Sequence, residues 1–306
     1  VVSGEKILVT GPAGHLARPI VRQLAQSNEV WGLARFGRPE ARAELKAMGV
    51  VCVAKDIARD SLDGLPTDFD RVLHAGAMVA MSSEEDMAYT FKVNVEGTGK
   101  LLEHCRSAKT FVFCSTGGVY AHQEHPVRED DPYGAPIPAY SLSKISAEQL
   151  VLFLAPRLGV PTIILRIGAV YGPEASGPMV RIRRMLQGKA VWVNPAEPRR
   201  GSVMWVDDAV RLAIVALEKG AVPPVTVNFA GDDPVSIEEY CAFAGALLGV
   251  EPEFKYTDGT YPANQMDTTR MHEVLGACEV GWQEGFRRLI QASFPDRGQQ
   301  CKGTDR

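Results

Sequence analysis

Along the first half of the chain the hydrophobic positions fall in short, nearly continuous runs: KILVT (6–10), EVWGLA (29–34), VVCVA (50–54), RVLHA (71–75), TFVFCS (110–115) and PTIILRIGAV (161–170). Val, Ile, Leu and Phe fill these runs with little polar alternation. That predicts strands buried on both faces of a parallel sheet. The segments between them, 14–26, 39–48, 84–107 and 139–157, read as helices. Strand–helix alternation with short connections predicts an α/β fold, a doubly wound parallel sheet of Rossmann type. Right-handed crossovers then put ligands at the carboxyl ends of the strands. Beyond residue 172 the rhythm loosens: helices are predicted over 178–187 and 207–220, and a strand at VTVNFA (225–230). Ser236 followed by Glu239 predicts a capping box opening a helix over 236–249. The expected organisation is a sheet domain over 1–172, open to further strands from later residues, and a smaller lobe over 173–292 interleaved with the sheet. The tail, 293–306, has little to bury and is expected to be flexible.

Composition narrows the function. The 306 residues are 45% hydrophobic and 23% charged, enough to build a core without disulfides or metals. Net charge is −4 and the basic residues are dispersed, which argues against a nucleic-acid partner. The exception is a cluster of Arg181, Arg183, Arg184, Arg199 and Arg200. The six cysteines, at 52, 105, 114, 241, 278 and 301, make no CxxC or paired His spacing. Free thiols in a reducing compartment are expected, and no metal site. With no charged leader and no run of spanning length, the expectation is a soluble cytoplasmic protein without a membrane partner.

KILVTGPAGHLARPIVRQLA reads as strand, glycine turn and helix. Gly11 and Gly14 permit a sharp turn and close backbone approach to a ligand, and the helix aims amides and its positive dipole end there. A dinucleotide pyrophosphate fits such a cradle; the usual third glycine is replaced by Ala17, also small. A carboxylate about 20 residues beyond the glycines would bind an adenosine ribose 2′-hydroxyl. Here Ala34 is followed by Arg35, which suits a 2′-phosphate, so NADP is expected over NAD; the bland alternative for Arg35 is a solvated loop residue. Asp56, past the third strand, is placed to accept from the adenine amine.

YSLSK (140–144) sets Tyr140 and Lys144 on one helix face. A nearby ammonium favours the phenolate and lowers the Tyr pKa, and a Tyr so tuned moves a proton on and off an alcohol while hydride leaves the adjacent carbon. Alone, the spacing is common on ordinary surface helices. It gains weight from Ser115 and Thr116 at the end of a predicted strand, where a hydroxyl can donate to a substrate oxygen. Asn94 is placed to brace backbone or relay a proton through water.

TGPAGHLA, VLHAGA, NVEGTGKLLEHC, FVFCSTGGVY, YSLSK and LRIGAVYGP follow the order seen in extended short-chain dehydrogenases/reductases. The chain resembles that family, including its NAD-dependent epimerase/dehydratase group acting on sugar nucleotides. MWVDDAV (204–210) and the DTTRMHEVLG…GW stretch (267–282) resemble its distal motifs, so the resemblance spans residues 5 to 292. It implies that Tyr140 is the general acid/base, Thr116 its hydroxyl partner, and Lys144 the residue that orients the nicotinamide ribose. It implies cofactor contacts from Gly11, Ala13, Gly14, His15 and Leu16 at the turn, from Asp56 and Ile57, and from Ala75, Gly76 and Ala77. Asn94, Ser115, Ile167, Gly168 and Val170 complete that set; Met78, Gly117, Gly118, Ala169 and Arg200 are the substrate candidates. His74 is read as a structural histidine, and the pair Asp207–Asp208 as helix caps.

The chain departs from the family at three points. Gly117 and Gly118 stand where sugar-nucleotide dehydratases carry acids, which disfavours 4,6-dehydration. Ala169 replaces a usual Asn, and the Arg before the VDD motif is displaced upstream, with Arg200 the best anion contact. Hydride transfer between NADP(H) and a secondary alcohol or ketone is the expected reaction. Three versions stand: an epimerase on a sugar or sugar nucleotide, an NADPH-exchanging ketoreductase on a non-nucleotide substrate, and a non-catalytic NADP(H)-binding sensor. The sensor fits poorly with retention of Tyr140, Lys144 and Thr116. The resemblance also implies a homodimer through the 84–107 and 139–157 helices, with Tyr89, Phe91, Leu150, Leu152 and Phe153 as candidate contacts or, equally, core residues.

Overall fold

The apolar runs form strands almost where the pattern puts them. In the computed structural model, which describes residues 2–78, 84–134, 138–174, 177–196, 199–260 and 263–298, the first half contains β1 (Lys6–Thr10), α1 (Ala17–Leu24), β2 (Glu29–Ala34), α2 (Pro39–Ala47), β3 (Val51–Ala54) and β4 (Arg71–His74). Next come α3 (Glu84–Phe91), a π-helical turn (Lys92–Glu96), α4 (Gly97–His104), β5 (Thr110–Thr116), α5 (Pro138–Leu158) and β6 (Thr162–Ile167). The remainder comprises β7 (Ala169–Tyr171), α6 (Gly177–Leu186), β8 (Val191–Val193), β9 (Arg200–Trp205), α7 (Val206–Ala216), β10 (Val225–Phe229), β11 (Pro234–Ser236), α8 (Ile237–Leu248), β12 (Phe254–Tyr256), α9 (Thr269–Val274) and α10 (Trp282–Ser293).

Seven strands make one parallel sheet in the order β10-β6-β5-β4-β1-β2-β3. Ile7 and Val9 bury against one face, with Ile20, Val21 and Leu24 of α1 and Leu212 of α7. Leu8 buries against the other, with Phe111, Phe113 and Ile164 and with Leu101, Ala147 and Val151 of α4 and α5. Both side-chain rows of β1 are thus apolar because helices cover both faces. Strand order reverses between β1 and β4, where the chain leaves the sheet in opposite directions and opens a crevice.

The run 161–170 is not one strand. Gly168 breaks it: its amide donates to the Phe229 carbonyl (2.9 Å), and a Cβ there would lie 3.0 Å from Ala230 Cβ and 3.2 Å from Met266 Sδ. Beyond the break β7 leaves for a three-stranded sheet, β11-β9-β7, while β8 pairs with β12. A third core joins these small sheets to α6, α8 and α10, built on Phe286 stacked between Tyr171 and Tyr240 with centroids 4.6 Å and 4.9 Å away. The helix predicted over 84–107 is interrupted by the π turn at Asn94. Of the tail, α10 reaches Ser293 and a helical turn follows at Pro295–Gly298; residues after 298 lie outside the described residues. Ser236 and Glu239 form the capping box of α8.

Candidate active site

At the crevice, Gly11 has φ 62°, and a Cβ on it would sit 2.8 Å from Gly76 Cα. The two glycines let the exits of β1 and β4 cross almost in contact. Gly14 N donates to Gly11 O at 2.9 Å, and α1 begins after it with no side-chain cap and no acid in its first turn. Uncapped amides beside a glycine turn are what an anion completes. A cavity of 260 Å³ lies there, lined by Gly11, Ala13, Gly14, Arg35, Asp56 and Ile57, and further by Ala75, Gly76, Ala77 and Met78. These residues fit a dinucleotide. Met78, expected on the substrate side, therefore lies on the dinucleotide side. His15 lines the neighbouring larger cleft instead, and Leu16 lines neither cavity, because it packs on the core under α1.

Tyr89 and Val93, four residues apart, also line the 260 Å³ cavity. The helical spacing of Tyr89, a candidate dimer or core residue by sequence, gives it a shared inward face with Val93. Arg35 Nη1 donates to the Tyr89 hydroxyl (3.0 Å), which donates to Asp56 Oδ2 (2.6 Å). Although burial works against its charge, Asp56 is held below the usual carboxylate range by Tyr89, the Ala58 amide, Arg35 and Arg59. Beside this cavity, Arg35 and Arg38 line a second of 270 Å³, shaped by Phe36 at φ 49° and by Gly37.

His74 is buried at the floor of the crevice. Its Nδ1 is 2.7 Å from Thr10 Oγ1 and its Nε2 2.8 Å from Thr98 Oγ1. Thr98 donates its own proton to the Asn94 carbonyl, and Thr10 accepts from the Gly76 amide. Thr98 therefore accepts from Nε2–H and Thr10 donates to Nδ1, which fixes a neutral tautomer. Burial holds the ring neutral, with a pKa of about 3.

Two expected cofactor contacts face elsewhere. Asn94 Oδ1 accepts from the Met78 amide (2.8 Å), and Nδ2 donates to the Met78 carbonyl and to Ser143 Oγ (both 2.9 Å). It braces the chain after β4 against α5. Ser115, the penultimate residue of β5, points to the opposite side from Thr116 and donates to Glu148.

Thr116 ends β5, and α5 brings Tyr140 beside it, where the Thr116 hydroxyl opposes the upward pull of burial on the phenol. Thr116 Oγ1 also accepts from the Gly118 amide at 3.1 Å. Lys144, one turn after Tyr140, is buried; its Nζ donates to the Cys114 carbonyl (2.6 Å) and lies 4.1 Å over the Phe113 ring. Burial brings Lys144 down to about 8, with Cys114 and Glu148 pulling it back up. Burial pushes Tyr140 above the ordinary phenol value, opposed by Thr116. The expected acidification of Tyr140 by Lys144 is thus not produced by the protein alone, because the ammonium is turned to the Cys114 carbonyl.

Thr116, Gly117, Gly118, Ile167, Gly168, Ala169 and Val170 form one wall of a 610 Å³ cleft facing the smaller sheets. Arg181 of α6, Asn194 after β8, and Arg199 and Ser202 around β9 form the other. Arg200 does not line it: antiparallel pairing sets Arg200 opposite Ser236, so its guanidinium pairs with Glu239. Arg181, one of the arginine cluster, takes the cleft position. Met266 was not foreseen; its Sδ would be 3.1 Å from a Cβ on Gly117, so it fills the space that glycine leaves. No Asp or Glu is among the described residues lining this cleft. Asp207 and Asp208 do not cap α7 either: Asp207 accepts from Trp205 Nε1 (2.8 Å), and Asp208 anchors the amides of Glu279 and Val280 (both 2.9 Å). Among the described residues no cluster of His, Cys, Asp and Glu is placed to hold a metal, and no helix is long and apolar enough to cross a membrane.

Residues 7–230 match the profile of the NAD dependent epimerase/dehydratase family. A dTDP-4-dehydro-6-deoxy-D-allose reductase from a Streptomyces species is 30% identical over 302 residues, covering 89% of this chain and 91% of that protein. One of the same name from Streptomyces bikiniensis is 29% identical over 303 residues, with the same coverage. The crystal structure of UDP-glucuronic acid 4-epimerase from Bacillus cereus, in complex with UDP-glucuronic acid and NAD, superposes with a TM-score of 0.82 at 23% identity, covering 96% of this chain and 99% of that one.

Proposed function

The chain belongs to the NAD dependent epimerase/dehydratase family, and from that premise we propose that it is a reductase moving hydride between NADP(H) and a keto carbon of a nucleotide-linked deoxy sugar. The observation that carries the reading is that α5 sets Tyr140 beside Thr116, which lines the 610 Å³ cleft. Tyr140 holds the proton that passes to the carbonyl oxygen, and Thr116 donates to the same oxygen as charge builds on it. Gly11, Ala13 and Gly14 hold the pyrophosphate, Asp56 and Ile57 the adenine side, and Lys144 the nicotinamide ribose. The dinucleotide supplies the hydride and, when oxidised, a positive ring. Thr116 is the protein's own means of bringing Tyr140 down from the raised value that burial gives it.

Three observations support the finer assignments. Arg35 and Arg38 flank a cavity that suits a 2′-phosphate, which favours NADP and exchange with a reduced pool. Arg181 and Arg199 stand across the cleft from Thr116, where a sugar-linked diphosphate would lie. The surface next to Thr116 is Gly117, Gly118, Ile167 and Met266, which suits a methyl substituent on the sugar, as the names of the two Streptomyces relatives suggest. The absence of a carboxylate among the described cleft residues disfavours dehydration, which requires an acid and a base on adjacent carbons.

Epimerisation with the dinucleotide retained is the second reading, favoured by the fold shared with a UDP-glucuronic acid 4-epimerase. A homodimer through α5 is proposed with either. Leu150 packs on Gly99 and Leu152 on the core, which leaves Phe153, 55% exposed, and Leu142, 46% exposed, as its apolar contacts. The test is to mix the protein with a dTDP-4-dehydro-6-deoxyhexose and NADPH and follow reduced-nicotinamide absorbance. Stoichiometric NADPH loss is expected. Interconversion of the matching C4-hydroxy epimers, supplied in place of the ketone, without NADPH loss assigns the epimerase, and no reaction of either substrate removes the sugar-nucleotide assignment.

A further inference from the structure

One turn beyond Lys144 and two beyond Tyr140, α5 carries Glu148, which is fully buried. Its carboxylate accepts from Arg166 of β6 through Nε (3.2 Å) and Nη2 (2.9 Å), from the Ser115 hydroxyl of β5, and from the Tyr133 hydroxyl (3.0 Å). Arg166 is equally enclosed. Its Nη1 donates to the Glu129 carbonyl (2.9 Å), and its guanidinium lies 4.8 Å and 5.0 Å from the Tyr120 and Tyr133 rings.

A buried ion pair is weak evidence for stability, because desolvation cancels much of the attraction and apolar replacements are often tolerated. What this pair connects is more informative. Ser115 immediately precedes Thr116, Arg166 immediately precedes the cleft residue Ile167, and Glu148 shares a helix face with Lys144. One carboxylate therefore ties together the three elements that carry the hydroxyl partner, the cleft wall and the Tyr140–Lys144 pair.

We propose that Glu148 is a positioning residue for hydride transfer: held by Ser115 and Arg166, it locks α5 to the ends of β5 and β6 and sets a carboxylate one helical turn from Lys144. It touches neither substrate nor dinucleotide. The proposal rests on the function proposed above only in the contact of Lys144 with the nicotinamide ribose, and it is independent of the sugar. The titratable groups facing Lys144 are Tyr140 and Glu148 on α5, Cys114 on β5, and His74 on β4, which is held neutral. Arg166 on β6 is spent on Glu148. Glu148 is the one carboxyl among these described groups, and with Cys114 it opposes the downward pull of burial on Lys144.

The test is the affinity for NADPH, read by nicotinamide fluorescence from about pH 7 to 10, for the wild type and Glu148→Gln. Wild-type affinity is expected to fall as Lys144 loses its proton. In Glu148→Gln the midpoint moves down by roughly one pH unit, as loss of a neighbouring charge in a partly screened interior requires. That variant leaves Arg166 unpaired, which endangers the fold. The second variant, Glu148→Met with Arg166→Met, removes both charges; it is expected to melt near the wild type yet show a smaller downward shift, because losing the Arg166 charge offsets part of losing the carboxylate. A titrating wild type with unmoved midpoints in both folded variants overturns the proposal alone. A flat wild-type profile overturns the Lys144–ribose contact and the proposal with it. A double variant that cannot fold assigns the pair to stability and overturns it as well.

Discussion

Acidifying the solution from about pH 7 to 5 should cost the fold about 2 kcal/mol through His74 alone. The ring is buried, its Nδ1 accepts from Thr10 and its Nε2–H donates to Thr98, so an imidazolium has no place for its second proton. Its folded pKa is about 3 against an ordinary 6.5. The unfolded chain therefore binds the proton first. Stability from this group is complete above 6.5 and drains away as pH falls below it, down to the folded value near 3. The slope approaches about 1.4 kcal/mol per pH unit. At pH 5 the gap from the unfolded value is about 1.5 units, which gives about 2 kcal/mol, and any folded value below about 4 gives nearly the same figure. Urea unfolding of the wild type and His74→Asn at several pH values isolates the effect from the other histidines. The variant starts less stable by a constant offset from its altered hydrogen bonds, but its stability should be flatter between pH 7 and 5 by about 2 kcal/mol. Parallel pH profiles for the two proteins would refute the neutral, doubly bonded ring.

Arg35→Ala should weaken NADPH binding by about 10–100-fold, the worth of a charge-assisted phosphate contact, and leave NADH within a few-fold; equal losses in calorimetric titrations would reject the 2′-phosphate assignment. Thr116→Val should lower kcat by about 10²–10³ with little change in KM, since the hydroxyl acts on charge developing in the transition state; a pure KM effect would speak against that role. Met266→Gln should narrow or reverse the preference for a dTDP-6-deoxyhexose over the matching dTDP-hexose, read as a ratio of kcat/KM in the oxidative direction. An unchanged ratio would separate Met266 from substrate selection.

The sheet was legible because its signal is local. Runs such as Ile7-Leu8-Val9 are apolar at successive positions only when both faces are covered, and the capping box at Ser236 and Glu239 lies within four residues. The glycine cradle and the 140–144 spacing were legible for the same reason. What failed depended on partners distant in sequence. The break at Gly168 is set by Ala230 and Met266, Ser115 is claimed by Glu148, and the pairing of β9 with β11 turns Arg200 to Glu239 and leaves Arg181 and Arg199 in the cleft. The π turn that positions Asn94 likewise leaves no periodic trace in the residues around it. The spacing of Tyr140 and Lys144 did not show where the amine points, because one face of a helix does not settle where a lysine aims its nitrogen.

The central claim is that the Tyr140 hydroxyl, paired with Thr116, moves the proton that accompanies hydride transfer. The direct measurement is a single turnover of pre-bound NADPH with a dTDP-4-dehydro-6-deoxyhexose in the wild type and in Tyr140→Phe. The phenylalanine variant should bind NADPH within about twofold of the wild type and transfer hydride about 10²–10⁴ times more slowly. Hydride transfer at a rate near the wild type's would contradict the account.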